Sequence, residues 1–227
     1  RSDCWVWGSE MTKTVCFSIP KSGTHLFSEV FQHIGYETKS LRKVNRTIQA
    51  DVLESVETLT EGDCYFSCHF KMSDKAIPLL SCTDFQVALI RDPRDVILSM
   101  RDFLKSGRPL PLIKSFPEIR NMDSNRIFDL LLDPGSAPLS NPRKFFSGWM
   151  DWAKHDVPIV RYEDALRWKT VQDASAAAAA FGVGSGRFLS ALKKTRGNGN
   201  SKNTFNKGKV ERWRTEFTPE MAAKWDA

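Results

Sequence analysis

A lysine followed by small hydroxyl residues stands where an apolar run gives way to a helical pattern. Residues 20–24 read Pro-Lys-Ser-Gly-Thr and follow the apolar run 15–19. The run predicts a strand, and the amphipathic pattern after it predicts a helix. The turn between them would present backbone N–H groups, two hydroxyls and the Lys21 ammonium at a helix N-terminus, where phosphate groups bind. A Walker A loop would instead place its lysine after a second glycine, and a plain β–α turn is the alternative interpretation.

A second candidate anion site follows a later apolar run. Residues 87–96 read Val-Ala-Leu-Ile-Arg-Asp-Pro-Arg-Asp-Val. A buried strand would deliver Arg91 to its carboxyl end, which is where ligands bind in open α/β sheets. Arg91 can contact a phosphate with two donors, and Ser99 in the following helix adds a hydroxyl. For Arg94 and Asp95 the expected roles are helix capping and surface ion pairing.

A third candidate is the Lys207-Gly208-Lys209 sequence near the end of the chain. It lies in the segment 193–214, where eight basic residues stand against one acid, Glu211, and the net charge of the chain is +6. Glycine lets backbone N–H groups approach an anion closely. A solvated loop is the alternative. A nucleic-acid partner is not expected, because no binding motif or aromatic interleaving accompanies the charge.

In this order the three motifs resemble those of the sulfotransferase superfamily that uses 3′-phosphoadenosine 5′-phosphosulfate (PAPS). The first resembles its Pro-Lys-Ser-Gly-Thr-Thr-Trp loop, the second its Arg-(Asn/Asp)-Pro-(Lys/Arg)-Asp-Val element followed by Ser, and the third its Arg-Lys-Gly-x-x-Gly-Asp-Trp-Lys loop. Residues 159–164, Ile-Val-Arg-Tyr-Glu-Asp, match a family strand that ends in Tyr-Glu-Asp. The resemblance covers residues 14–218. It implies a P-loop-like, three-layer α/β/α fold with a mostly parallel sheet, in one domain over residues 1–227.

The resemblance also implies roles for single residues. Lys21 would bind the phosphosulfate and stabilise charge on the bridging oxygen, and Ser99 would restrain Lys21 until the donor is bound. The 5′-phosphate would accept hydrogen bonds from Ser22, Gly23, Thr24 and His25. The 3′-phosphate would be held by Arg91, Ser99, Lys207 and Gly208, and the adenine would contact Tyr162.

Several positions depart from the family motifs. His25 stands where a second Thr is usual, and Leu26 replaces the Trp that stacks on adenine. Asn206 replaces the Arg of the third motif, so Lys202 or Lys209 would complete the 3′-phosphate site. Residues 211–212 are Glu-Arg in place of Gly-Asp.

The resemblance points to His69 as the catalytic base. It ends the strand-like run 64–68 and is followed by Phe70-Lys71, although Ser67 stands where the family has a lysine. An imidazole accepts a proton near neutral pH, so it can deprotonate an acceptor. A structural histidine at a strand end is the alternative. His25, beside the donor loop, and His33, inside a helix, are weaker candidates for the base.

These side chains need an alternating α/β framework to bring them together. The expected strands are 14–19, 64–68, 85–91 and 157–161. The expected helices are 24–35, 74–80, 93–104, 125–132, 142–155 and 163–181, with a last helix capped by Thr218. The Pro-rich segment 105–141 is expected to form an acceptor-side lid, and 193–214 a basic cofactor-binding loop. The aromatic residues of 145–152 are expected to lie mostly in the core.

Composition bounds the function. The 227 residues suit one soluble α/β domain, and no apolar run is long enough to span a membrane. Five cysteines without a paired framework and a start without a signal-like segment predict a cytoplasmic protein, with a lost anchor as an open alternative. The predicted function is sulfuryl transfer without a metal to a hydroxyl or amine of a small molecule or glycan. The alternatives are a P-loop nucleotide kinase and a catalytically silent nucleotide- or polyanion-binding module.

Overall fold

Five parallel strands form the centre of the structure. It is a computed structural model that describes residues 11–41, 56, 62–69, 77–106, 117–132, 146, 150–197 and 209–226. The strands are β1 (Lys13–Ser18), β2 (Glu37–Leu41), β3 (Cys64–Cys68), β4 (Phe85–Ile90) and β5 (Ile159–Arg161). Their order is β2-β3-β1-β4-β5, and every neighbouring pair is parallel. The carboxyl ends of all five therefore lie at one edge of the sheet, with β1 in the centre.

Helices connect and cover these strands. In chain order they are α1 (Thr24–Ile34), α2 (Ile77–Ser81), α3 (Pro93–Lys105), α4 (Ser124–Leu132), α5 (Tyr162–Arg167), α6 (Val171–Ala180), α7 (Ser185–Gly197), α8 (Trp213–Glu216) and α9 (Pro219–Asp226). Two 3₁₀ turns cover Pro117–Asn121 and Met150–His155. The predicted Thr218 cap is present, since its hydroxyl accepts the Met221 N–H at 3.2 Å.

The alternation of side chains along the strands builds a hydrophobic core on each face of the sheet. On one face, α1, α6 and α7 pack on β1 and β3, and Phe31 stacks on Tyr65 at 4.2 Å between ring centroids. On the other face, Phe17 stacks on the fully buried Trp152 at 3.8 Å, beside Leu79 and Val96. A third apolar cluster joins α3, α4 and α9. The predicted three-layer α/β/α fold is confirmed.

Several predicted boundaries were wrong. Strand β2 was missed, because its sequence Glu-Thr-Lys-Ser-Leu is polar, as suits a half-exposed edge strand. The single helix predicted over 163–181 is two helices, α5 and α6. A capping box starts the second, in which Thr170 accepts the Asp173 N–H and the Asp173 carboxylate accepts that of Thr170.

The segments predicted as a lid and as a basic loop are only partly described. Of 105–141, residues 117–132 form a 3₁₀ turn and α4 against α3, and 107–116 and 133–141 lie outside the described residues. Residues 193–197 belong to α7 rather than to a loop, because Phe188, Leu192 and Thr195 bury one side of this helix. Of the helix predicted over 142–155, residues 150–155 form a 3₁₀ turn, and 142–145 and 147–149 are outside the described part.

The structure describes four of the five cysteines. Cys16, Cys64, Cys68 and Cys82 are free thiols. No helix in this part of the chain is long and apolar enough to cross a membrane.

Candidate functional site

The loop after β1 is a tight turn at the N-terminus of α1. The Ser22 N–H donates to the Ile19 carbonyl at 3.0 Å. Lys21 has a φ of 72° and Gly23 a φ of 98°. The left-handed conformation costs a residue with a side chain about 1–2 kcal/mol. The surrounding structure therefore holds the Lys21 backbone in an unfavourable conformation. Such strained positions are typical of functional loops.

Gly23 is required by packing as well as by its φ. A Cβ placed on Gly23 would lie 2.3 Å from Cδ2 of Tyr162, far inside van der Waals contact. Tyr162 opens α5 directly after β5 and is 4% exposed. The loop backbone therefore lies directly against the tyrosine ring.

Arg91 joins the first two motifs to the third. Its Nη1 donates to the Lys21 carbonyl at 3.2 Å, and its Nη2 donates to the Lys209 carbonyl at 2.9 Å. The guanidinium carbon lies 4.6 Å from the centre of the Tyr162 ring, and Nη2 lies 3.6 Å from the Asp95 carboxylate. The side chain is 8% exposed, and its Nε is buried with no hydrogen-bond partner among the described residues.

Helix α3 presents one row of side chains along this site. Asp95, Ser99 and Phe103 are spaced four residues apart and so share a face of the helix. Asp95 contacts Arg91, and the Lys21 Nζ lies 4.0 Å from the centre of the Phe103 ring. Ser99 therefore lies between the residues that contact Arg91 and Lys21. The sequence analysis missed Phe103, although the spacing of four residues from Ser99 was a usable signal.

His69 lies at the end of β3 and contacts the neighbouring end of β1. Its Nδ1 is 2.9 Å from the Ser18 carbonyl oxygen and 3.1 Å from Ser18 Oγ, which lies 2.8 Å from Thr24 Oγ1. A carbonyl can only accept a hydrogen bond, so Nδ1 carries the proton and the lone pair of the neutral ring is on Nε2. The arrangement fixes the tautomer of an imidazole beside the loop.

The surroundings of His69 lower its pKa. His69 is exposed at the end of β3, but the protein atoms around its ring partly desolvate it, which is the main cause; the positive charges of His25 and Lys21 act in the same direction. The hydrogen bond to the Ser18 carbonyl opposes these effects and does not cancel them. His25 itself is exposed in the first turn of α1. Neutral His69 is thus favoured near pH 7.

Ser22 contributes a second unusual feature of the loop. Its Oγ is buried and has no hydrogen-bond partner within the described part of the chain. Such a hydroxyl is costly to bury alone, and a ligand at the N-terminus of α1 would satisfy it.

The third motif is described only from Lys209 onward, and the predicted ligands Lys207 and Gly208 lie outside the described residues. Asp95 is fully buried, which corrects its predicted role in surface pairing. Residues 209–213 cover it, and its carboxylate accepts the N–H groups of Glu211 at 2.7 Å and Trp213 at 3.2 Å. Arg94 pairs with Asp92 at 2.7 Å, as expected, and also lies over the Trp213 ring at 3.5 Å.

A buried acid that the sequence analysis did not single out connects two strand ends. Glu163 follows Tyr162 and accepts the Asp92 N–H at 2.8 Å, so it ties the end of β5 to the end of β4. Within the described residues, no three His, Cys, Asp or Glu side chains are grouped as metal ligands.

The fold is shared with two solved structures whose ligands are known. A mouse sulfotransferase, SULT7A1, complexed with PAP superposes with a TM-score of 0.69 and 16% identity over 95% of this chain and 82% of that one. A retinol dehydratase in complex with androsterone and the inactive cofactor PAP gives a TM-score of 0.62 and 16% identity over 94% of this chain and 78% of that one. No protein-family model and no curated protein matches the sequence. The chain has the sulfotransferase fold.

Proposed function

We propose that the protein transfers a sulfuryl group from PAPS to a hydroxyl or amine of a small-molecule or glycan acceptor. The observation that carries this proposal is the contact of Arg91 with both the Lys21 loop and Lys209, which joins two candidate phosphate sites at one sheet edge. PAPS carries phosphate at both its 5′ and 3′ ends. The two solved structures compared above both contain PAP.

The residues present fit such a donor. The N-terminus of α1 favours a 5′-phosphate through its dipole and the backbone N–H groups of Gly23, Thr24 and His25, whereas Ser22 would contribute its hydroxyl because its N–H donates to Ile19. The buried Ser22 Oγ and Arg91 Nε, which have no partners among the described residues, are donors that the two phosphates would satisfy. Ser99, Lys207 and Gly208 would complete the 3′-phosphate site. Gly23 and Arg91 cover most of the Tyr162 ring, so only its small exposed part would contact the adenine.

PAPS supplies the sulfuryl group and a phosphate leaving group. Lys21 would place its ammonium beside the bridging oxygen, where negative charge develops as the sulfur–oxygen bond breaks, and preorganised charge of this kind is a large catalytic term. Before the donor binds, the face of α3 that carries Ser99 and Phe103 would hold Lys21 away from the reaction centre. The loop would act mainly by positioning and charge stabilisation.

His69 would act as the general base. Its Nε2 would take the proton from the acceptor while the acceptor's oxygen or nitrogen forms the new bond to sulfur. Ser18 holds the ring through Nδ1, and the lowered pKa keeps Nε2 unprotonated near neutral pH. The segment 105–141 would line the acceptor side. A cytoplasmic location and a mechanism without a metal are parts of the same proposal.

The test is transfer of labelled sulfate from PAPS to a panel of phenols, steroids, amines and oligosaccharides, with and without a chelator. Wild-type protein should label at least one acceptor, and the chelator should leave the rate unchanged. We expect Lys21→Met to reduce turnover by about 10²–10³-fold. His69→Gln should reduce it by about 10²–10⁴-fold.

His33→Gln is the matched control, because His33 is exposed on α1 and plays no part in the proposed mechanism. Turnover in His69→Gln equal to that in His33→Gln would show that His69 is not the base. Tight PAP binding with no acceptor labelled would favour a silent binding module. Phosphate transfer that requires ATP and Mg²⁺ would favour a kinase.

A further inference from the structure

A partly buried network of four charges, centred on the buried Arg212, ties residues 209–216 to α3. The Arg212 Nη2 donates to Asp102 at 2.7 Å, and the Arg212 Nε donates to Glu216 at 2.7 Å. Arg101 donates to the same two carboxylates at 3.0 Å and 2.6 Å. Arg212 is 7% exposed. Two cations and two anions therefore alternate around a closed ring of contacts, which joins α3 to α8.

The pKa of Glu216 shows that this network is electrostatically tight. Burial opposes ionisation of this carboxyl, yet hydrogen bonds from Arg212 and Arg101 lower its pKa below the ordinary value. Arg212 is the buried member, and its removal would leave two partly desolvated carboxylates, Asp102 and Glu216, that share Arg101 as a partner, which is a costly arrangement. The network is therefore a firm anchor for the start of α8.

The turn just before this anchor is the part that contacts Arg91. Lys209 gives its carbonyl to the Arg91 Nη2, and the N–H groups of Glu211 and Trp213 donate to the two oxygens of Asp95. Those two bonds occupy the Asp95 carboxylate, which lies 3.6 Å from Arg91, four residues earlier. Without them, Asp95 would attract Arg91 into a close two-point pair and away from a ligand.

We infer that Arg212 is a positioning residue for Arg91: its contacts with Asp102 and Glu216 hold the 209–213 turn on α3 and so keep the Arg91 guanidinium available for the 3′-phosphate. The inference rests on the proposed function, since it takes Arg91 to be a 3′-phosphate ligand. Arg212 stands where the family motif has Asp, so the anchor belongs to this chain rather than to the motif.

The experiment measures the preference for adenosine 3′,5′-bisphosphate over adenosine 5′-monophosphate, which lacks the 3′-phosphate, by calorimetry. We expect Arg212→Met to reduce this preference at least about tenfold, the size of one charge-assisted hydrogen bond, with little change in monophosphate affinity. Arg91→Met should lose as much or more, and adding Arg212→Met to Arg91→Met should produce no further loss. A general structural defect would weaken binding of both nucleotides equally.

Arg167→Met is the matched control, because Arg167 pairs with Glu211 of the same turn from the exposed side. It should leave the preference unchanged. Arg212→Lys should retain part of the preference. If Arg212→Met does not fold, Asp102→Asn removes one anion of the network with little change of shape and should lower the preference in the same direction.

Equal weakening of both nucleotides, an unchanged preference in Arg212→Met or Asp102→Asn, or losses that add in the double variant would overturn the inference. These outcomes leave the proposed function intact when wild-type protein prefers the bisphosphate. Wild-type protein with equal affinity for the two nucleotides would refute the proposed function, and the inference with it.

Discussion

The contact between Gly23 and Tyr162 gives the sharpest quantitative prediction. A methyl group at Gly23 has two costs, the left-handed φ of 98° and a carbon 2.3 Å from the tyrosine ring. The first costs about 1–2 kcal/mol. The second requires the ring to move by about 1 Å or more, and overpacking of this kind costs about 1–3 kcal/mol. We expect Gly23→Ala to lower the free energy of unfolding by about 2–5 kcal/mol.

The other end of α1 offers a control for the first cost alone. Gly35 has a φ of 97°, and a Cβ there would meet only the Arg187 Nη2, at an ordinary distance of 3.7 Å. Gly35→Ala should therefore cost about 1–2 kcal/mol. The difference between the two variants, measured by urea denaturation with the slopes compared, isolates the clash with Tyr162.

A double-mutant cycle then assigns the clash. In a Tyr162→Ala background the obstacle is gone, so Gly23→Ala should cost only as much as Gly35→Ala. A coupling energy of about 1–3 kcal/mol between positions 23 and 162 is expected. Equal costs for the two glycine variants, or additive effects in the cycle, would refute the account of how the loop is held.

Three further predictions concern the residues around the site. The folded environment lowers the pKa of His69, so the unfolded chain binds more protons than the folded chain below about pH 6.5. The free energy of unfolding of the wild type should therefore fall more steeply there than that of His69→Gln, measured by denaturation at several pH values. Parallel pH curves would contradict this. Glu211 has a φ of 58°, a conformation that Asn tolerates, so urea denaturation should give Glu211→Asn a free energy of unfolding about 1 kcal/mol higher than that of Glu211→Gln. The reverse order would contradict this. Phe103→Leu should lower the free energy of unfolding by about 0.5–1 kcal/mol more than Phe103→Tyr, because it removes the ring that Lys21 contacts. This difference should vanish in a Lys21→Met background, and its persistence there would show that the ring contact contributes nothing.

The sequence was most informative about which residues would meet. Lys21, Arg91, Tyr162 and His69 each follow a strand directly or within a few residues, and parallel strands all end at the same edge of the sheet. Once the apolar runs are recognised as parallel strands, the proximity of these side chains follows from topology alone. For this reason the general location of the site could be predicted without any coordinates.

The supporting contacts could not be predicted in the same way. Asp102 and Arg212 are 110 residues apart, and no local pattern shows that two charges so distant in the sequence will pair. The burial of Asp95 also depends on residues far along the chain, Glu211 and Trp213, so its charged neighbours in the sequence led to the prediction of a surface charge. The break between α5 and α6 was missed because the Thr170 cap outweighs the helical preference of the residues around it.

The way in which Arg91 is held has a consequence for how the site tolerates change. Its two hydrogen bonds to Lys21 and Lys209 end on carbonyl oxygens, and every residue type supplies a carbonyl. Exchange of the side chain at position 209 therefore leaves the bond to Arg91 available as long as the backbone keeps its path. The chain can vary charge and size at that position while the guanidinium stays where it is.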